Sequence, residues 1–337
     1  MKALVMRQPG QTSVESVAEP KPKDGEVLLK VRMVGLCGSD LNSFRGSNPL
    51  VSFPRIPGHE IAGTILENKS DNPELKPGTN VAVSPYSNCG TCAACRRGRT
   101  NACQFNQTLG VQRDGALTEF ISVPAHRIYP AKLSLRELCL VEPLTVGFHA
   151  VARGRVTRNE VVAIFGCGGV GLGAVAAASF EGANTIAIDV DDKKLAIARK
   201  AGAAHAINAR QQSVPEKLAE LTNGLGPDVV VEAIGSPETF RSAIELVAFT
   251  GRVVYIGYAK KPVEYETRLF VQKELDIMGS RNAMPEDFRK VIQMLEDHRF
   301  PVDDAITKVV ALEQAPAILR AWQENPAAFT KIVVAVD

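Results

Sequence analysis

Cys89, Cys92, Cys95 and Cys103 put four thiols into fifteen residues, in the pattern C-x2-C-x2-C-x7-C. Four thiolates close a tetrahedral shell around zinc, an ion that stays bound without redox chemistry. A ferredoxin-type cluster would want its fourth cysteine at a shorter spacing with proline after it; here seven residues intervene and Gln104 follows. Disulfides or a C-x-x-C redox pair are the other readings of such thiols. Structural zinc accounts best for all four together.

A second, sparser set consists of Cys37 in GLCGSD, His59 and Glu60 in PGHE, and Glu142 in VEPL. One sulfur, one imidazole and carboxylates match a catalytic zinc that keeps one position exchangeable. Taken singly, each residue has a plainer reading. Cys37 suits a buried core, His59 a turn, and Glu142 the acidic start of a helix before Pro143.

A third constellation is Gly166-Cys167-Gly168-Gly169-Val170-Gly171, a G-x-G-x-x-G run directly after the apolar stretch 161–165. In such a motif the first glycine permits a tight turn, the second lets backbone approach a pyrophosphate, and the third lets the helix pack closely. The amino end of that helix then offers N–H groups to phosphate. Asp189, eighteen residues after Gly171, can accept hydrogen bonds from both ribose hydroxyls. The same charge disfavours a 2′-phosphate, so the cofactor expected is NAD rather than NADP. Lys193 and Lys194 nearby weaken that preference. A glycine-rich turn of another α/β fold, or a site for FAD or S-adenosylmethionine, remains open.

These groups need two kinds of scaffold. The first 140 residues hold short β-like runs at 2–5, 26–34, 61–66, 80–83 and 120–123, cut by turns such as Pro57-Gly58, with no helical period before about Leu133. From about 141 to 280, strands at 161–165, 185–188, 229–232, 252–256 and 275–278 alternate with helical segments at 170–181, 192–201, 214–222, 237–247 and 270–273. That alternation predicts a doubly wound parallel sheet covered on both faces. Two more helices are expected at 285–298 and 312–325, and a last strand at 331–335 that returns to the first domain. The expected division is 1–142 with 281–337, including a cysteine lobe at 86–104, and a dinucleotide-binding domain over 143–280.

A length of 337 residues suits two domains with full cores, and 45% hydrophobic with 23% charged residues is ordinary globular composition. The net charge of +2 gives no sign of a nucleic-acid partner, and the run Arg96-Arg97-Gly98-Arg99 reads as a solvated loop. No signal peptide is visible, and seven cysteines with four clustered suggest reduced thiols in a cytoplasmic protein. The uncharged stretch 161–180 is about long enough for a membrane span, but its five glycines after a β-branched run read as strand, turn and helix. No membrane partner is expected.

In their order along the chain, GEVLLKVRMVGLCGSD, PGHEIAG, the cysteine lobe, VEPL, GCGGVG and GRVVYIGY resemble the zinc-dependent medium-chain dehydrogenase/reductase superfamily. The carboxylate at Glu142 resembles its polyol, threonine and sugar-acid branch. The segment MGSRNAMPEDF looks like that of bacterial hexonate dehydrogenases acting at C5 of L-galactonate or L-gulonate. The resemblance implies a GroES-like catalytic domain, a Rossmann domain, NAD, two zinc ions per subunit, and a homo-oligomer, dimer or tetramer. Cys37, His59 and Glu142 would hold the catalytic ion, Glu142 directly or through water, with Glu60 a nearby or alternating ligand. The cysteine lobe would hold the structural ion.

The expected reaction is hydride transfer from a secondary alcohol of a sugar acid to NAD, with Ser39 taking the proton. Family members often carry histidine five residues after this cysteine; here that position is Asn42, which cannot shuttle a proton by changing charge. Arg281 and Asn282 follow the last strand of the parallel sheet, where open α/β sheets bind ligands, and Arg281 can clasp a carboxylate. It can equally pair with a protein acid or the cofactor. Polyol, polyol-phosphate and L-threonine 3-dehydrogenases are alternative readings. A catalytically idle binding protein on this fold would have no need of an open metal set. A zinc-ribbon nucleic-acid binder does not account for the dinucleotide fingerprint.

Overall fold

The computed structural model describes residues 1–336, and the chain divides into two compact units, Met1–Glu142 with Val302–Asp337 and Pro143–Pro301. In the first unit a seven-stranded sheet is built around the long strand Glu26–Leu36. Glu26–Leu36 pairs antiparallel with Glu60–Asn68, Phe120–Pro124 and Lys331–Ala335. Asn80–Val83 and Ile128–Pro130 extend one edge, and Ile306–Ala311 lies outside Lys331–Ala335 on the other. Alternating burial along Glu26–Leu36 sends Val27, Leu29 and Val31 into a core with Leu4, Ile61 and Trp322. The pairing Gly35↔Glu60 brings the carboxyl end of one strand beside the amino end of the next. That register decides where the functional side chains meet.

In the second unit six parallel strands run in the order His205–Asn208, Asn184–Asp189, Val161–Phe165, Val229–Glu232, Arg252–Tyr255, Asp276–Gly279. This is the 3-2-1-4-5-6 order of a dinucleotide-binding sheet, with its switch point between Val161–Phe165 and Val229–Glu232. Burial on both faces explains the unbroken apolar runs of the central strands. The stretch 161–180 is the strand Val161–Phe165 followed by the helix Gly169–Phe180, and no helix among the described residues is long and apolar enough to cross a membrane.

Three sequence expectations need correction. The chain rejoins the first unit at Val302, not at 281: the helix Pro285–Glu296 is tied to the second unit by the buried His149–Asp287 contact and by Lys290 on Glu181. The strand His205–Asn208 escaped notice because four residues with polar ends give no period; its neighbour Asn184–Asp189 imposes the extended form. The β-rich region also contains a helix, Gly38–Phe44. Only Leu41 and Phe44 give it an apolar face, and a box between Cys37 and Asp40 starts it.

The helix Leu135–Arg153 packs its Pro143–Arg153 part directly on the glycine-loop helix. A Cβ on Gly147 would lie 2.1 Å from Ala174 N, and one on Gly173 would lie 2.8 Å from Leu144 O. Alanine at 147 gains about 1 kcal/mol of helix propensity, but overpacking against immovable backbone costs about 1–3 kcal/mol or more. Gly147→Ala should therefore lower the thermal midpoint; an unchanged or raised midpoint would contradict this packing.

Candidate active site and metal centres

The ligand atoms of Cys89, Cys92, Cys95 and Cys103 all lie within 4.8 Å of one another, and all seven cysteines are free thiols. The Sγ separations are 3.9 Å for Cys92 to Cys103 and 3.6 Å for Cys103 to Cys89. A zinc tetrathiolate with bonds of about 2.3 Å has tetrahedral edges of about 3.8 Å, so the sulfurs fit that ion. The local fold makes this shape: Gly90 takes a φ of 73°, Cys92 caps the short helix Ala93–Arg96, and its carbonyl accepts from Arg96 N. Hydrogen bonds from Thr91 and Cys92 pull the Cys89 thiol down to about 6, whereas burial and the neighbouring thiols push Cys95 up to about 12. Four thiolates cannot share this volume without a cation to offset their charge.

Cys37, His59 and Glu60 form the second group of ligand atoms within 4.8 Å. Cys37 ends the strand Glu26–Leu36 and caps the helix Gly38–Phe44, its N–H donating to Asp40 Oδ2 at 2.9 Å. Gly58, with a φ of 97°, turns the chain so that its N–H reaches Asp40 Oδ1 at 3.3 Å and His59 enters the group. His59 Nδ1 is buried without a hydrogen-bond partner, 3.9 Å from Asp40 Oδ1. Metal ligands commonly present their second ring nitrogen to a carboxylate in this way. Burial opposes charge on His59, but Asp40, Cys37 and Glu142 together raise its pKa well above the ordinary histidine range.

Glu60 is 1% exposed, and Lys331 Nζ donates to its two oxygens at 2.6 and 2.7 Å. Lys331 Nζ also donates to Leu36 O at 3.3 Å. Glu142 lies outside the tight group formed by Cys37, His59 and Glu60; Tyr86 donates its phenol hydrogen to Glu142 Oε1. Burial pushes the Glu142 carboxyl up to about 7 despite the pull of His59 and the phenol, and Glu60 adds to the rise. Three buried carboxylates, Asp40, Glu60 and Glu142, share this cluster with the ammonium of Lys331 and the imidazole of His59. The donor set of one sulfur, one ring nitrogen and one carboxylate fits zinc.

Asp40, Tyr86, Lys331 and Gly35 were not singled out from the sequence. Asp40 sits three residues after Cys37, the spacing of a capping box, and Lys331 is a charge opening the apolar run KIVVAV. Gly35 is set by register: a Cβ there would be 1.9 Å from Glu60 Oε2. Tyr86 had no sequence signal. Ser39 is half-buried on the helix after Cys37. Asn42, at the altered position, accepts from Ser47 through its carbonyl and its side-chain oxygen, tightening the turn that follows the helix.

In the second unit Gly166 has a φ of 94°, Gly168 faces open space, and a Cβ on Gly171 would fall 1.8 Å from Gly166 O. Turn, open approach and close packing are thus divided among the three glycines. Gly169 and Val170 start the helix, whose first N–H groups have no intrahelical acceptor. Asp189 ends the neighbouring strand, and its carboxylate accepts from the N–H groups of Cys167, Val190 and Asp191. Arg281 and Asn282 are half-buried just beyond the strand Asp276–Gly279, with Asn282 at a φ of 53°.

A dinucleotide-type sheet joined to a β-rich unit with two metal-ligand sets defines a two-domain dehydrogenase. Residues 23–133 match the alcohol dehydrogenase GroES-like domain, and residues 169–297 match the zinc-binding dehydrogenase domain. The chain is 37% identical to a sorbitol dehydrogenase of Bacillus subtilis, covering 96% of this chain and 94% of that protein. It is 33% identical to the L-galactonate-5-dehydrogenase of Escherichia coli K12 over 91% of each. A crystal structure of an alcohol dehydrogenase from Escherichia coli CFT073, complexed with NADH, superposes with a TM-score of 0.91 at 29% identity over 99% of each chain. The chain belongs to the zinc-dependent alcohol dehydrogenase family, and it is an oxidoreductase of that family.

Displacing a carboxylate tip is cheap in solvent, but Glu60 is held by Lys331 on both oxygens. Gly35→Ala should break that pair and lower stability by about 3 kcal/mol or more, read as a shifted denaturation midpoint. Native stability in this variant would show that Glu60 is not held where described.

Proposed function

We propose that the protein is an NAD- and zinc-dependent dehydrogenase that oxidises a secondary alcohol of a sugar acid of the L-galactonate or L-gulonate type. The observation that carries the reading is the convergence of Cys37, His59 and Glu60 within 4.8 Å, with His59 and Glu60 buried. Zinc bound there would supply Lewis acidity that lowers the pKa of an alcohol, and NAD would accept the hydride. The chain's own groups do the rest. Cys37 and His59 present sulfur and nitrogen, Glu142 is steered by Tyr86, and Lys331 holds Glu60 at the margin of the set. Ser39, on the same helical turn as Cys37, takes the proton. With Asn42 engaged by Ser47, the onward path runs through cofactor hydroxyls or solvent rather than through that position.

Asp189 reads the adenosine ribose, and its fixed negative charge favours NAD over NADP. Gly166, Gly168, Gly169, Val170 and Gly171 cradle the pyrophosphate. Arg281 binds the substrate carboxylate, with Asn282 beside it. The relationship to L-galactonate-5-dehydrogenase supports the anionic substrate. The sorbitol dehydrogenase relative, at higher identity, supports an uncharged polyol as the second reading. Seven free thiols suit a cytoplasmic setting. The edge strand Asp276–Gly279, with Ile277 exposed and Val271 exposed nearby, suits a homo-oligomer formed by edge pairing.

Initial rates with NAD on L-galactonate, L-gulonate, sorbitol, a polyol phosphate and L-threonine test the ranking. A hexonate should give the highest kcat/KM. Arg281→Ala should raise KM for the hexonate by about 10–100-fold, the size of a lost charge-assisted pair, and for sorbitol much less. Equal losses on both would remove the carboxylate role, and preference for sorbitol or threonine in the native protein would overturn the substrate class.

A further inference from the structure

The segment carrying Arg281 and Asn282 is clasped at both ends by one helix. Arg153 Nε donates to Gly279 O at 3.4 Å. One helical turn earlier, His149 Nδ1 lies 2.9 Å from Asp287 Oδ2, and both side chains are buried. An ionised carboxylate only accepts, so His149 carries its proton on Nδ1 and donates it. The same Oδ2 accepts the N–H of Met284 at 2.7 Å, which closes the segment onto the start of the helix Pro285–Glu296. Between the two clasps lie Ser280 and Asn282. Ser280 has a buried Oγ without a hydrogen-bond partner, and Asn282 has a left-handed φ of 53°. A buried unpaired hydroxyl is not expected of a loop shaped by its own preferences, whereas asparagine enters the left-handed region more readily than most residues.

The clasping helix has a second attachment. Through Gly147 it packs on the helix that follows the glycine loop, close enough that a methyl group would not fit. The rim of the sheet joins the same two places. Gly166 packs on Ile234, Gly235 on Tyr258, and Ser280 N donates to Tyr255 O at 2.9 Å. In a sheet of this order a dinucleotide crosses the switch point, so its adenosine half lies over Asn184–Asp189 and its other half over the strands after Val229–Glu232. The segment at 280–284 closes the rim at that far end.

We propose that His149 is a positioning residue for the nicotinamide half of the cofactor. It fixes Asp287, Asp287 fixes Met284 N, and the segment from Ser280 to Met284 is held in the shape that receives the nicotinamide end. The inference rests on the dinucleotide reading and on no particular substrate. The test is calorimetric titration of the whole protein with NADH and with ADP-ribose, which lacks the nicotinamide. His149→Ala should weaken NADH about tenfold, the size of one lost hydrogen bond to a charged group, and leave ADP-ribose within about twofold. His149→Asn, whose amide can still donate to Asp287, should recover most of the NADH affinity. Asp287→Ala, which cuts both bonds, should behave like His149→Ala, and it serves should that variant fail to fold. Unchanged NADH affinity in the alanine variants, equal losses on both probes, or no rescue by asparagine would overturn the assignment. Native protein that binds neither probe would remove the dinucleotide reading and this inference with it.

Discussion

The buried pair between Lys331 and Glu60 holds the first unit's chemistry together. An ammonium and a carboxylate that are 7% and 1% exposed on their side chains survive burial only when they meet in good geometry, and here both oxygens are engaged. The partners lie 271 positions apart, so the last strand must return and lie against Glu26–Leu36 for the pair to form. Gly35 must lack a side chain so that Glu60 has room. Once Glu60 is held, Cys37 and His59 are neighbours by strand register, and Asp40 and Glu142 add two further buried acids beside them. The cluster's sulfur, nitrogen and carboxylate donors suit a divalent cation.

The second unit solves a different problem with backbone rather than charge. Its glycines remove side chains where the turn tightens, where a ligand approaches and where helix meets strand. Its acid, Asp189, is held by three backbone N–H groups, so its carboxylate is fixed at the strand end. Such preorganisation spares the binding step part of its ordering cost. The cysteine lobe is separate again. Its sulfurs match a tetrahedral ion on their own, with no carboxylate or exchangeable position, which suits a structural ion.

What could be read in the sequence follows from how local each signal is. The cysteine spacing, the glycine loop and the apolar runs of the parallel strands are encoded within a few residues, and those elements lie where their patterns put them. Cys37, His59 and Glu60 were readable as residue types, while their meeting depends on a pairing between strands that no local pattern specifies. Lys331, Tyr86 and Gly35 act across long sequence separations and had to be found in the fold. The short helix Gly38–Phe44 and the strand His205–Asn208 were missed for a related reason, since capping and a neighbouring strand shape them more than their own periodicity. The residues from 281 to Pro301 belong with the second unit, where Asp287 meets His149 and Lys290 meets Glu181.

Everything proposed for the first unit's chemistry requires Cys37 to belong to a metal site separate from the cysteine lobe. Zinc counted per chain by mass spectrometry on purified protein tests it most directly. The native protein should hold two ions and Cys37→Ser one, with the fold retained because the remaining ion sits in the lobe. Two ions in both proteins, or a single ion in the native one, would contradict it.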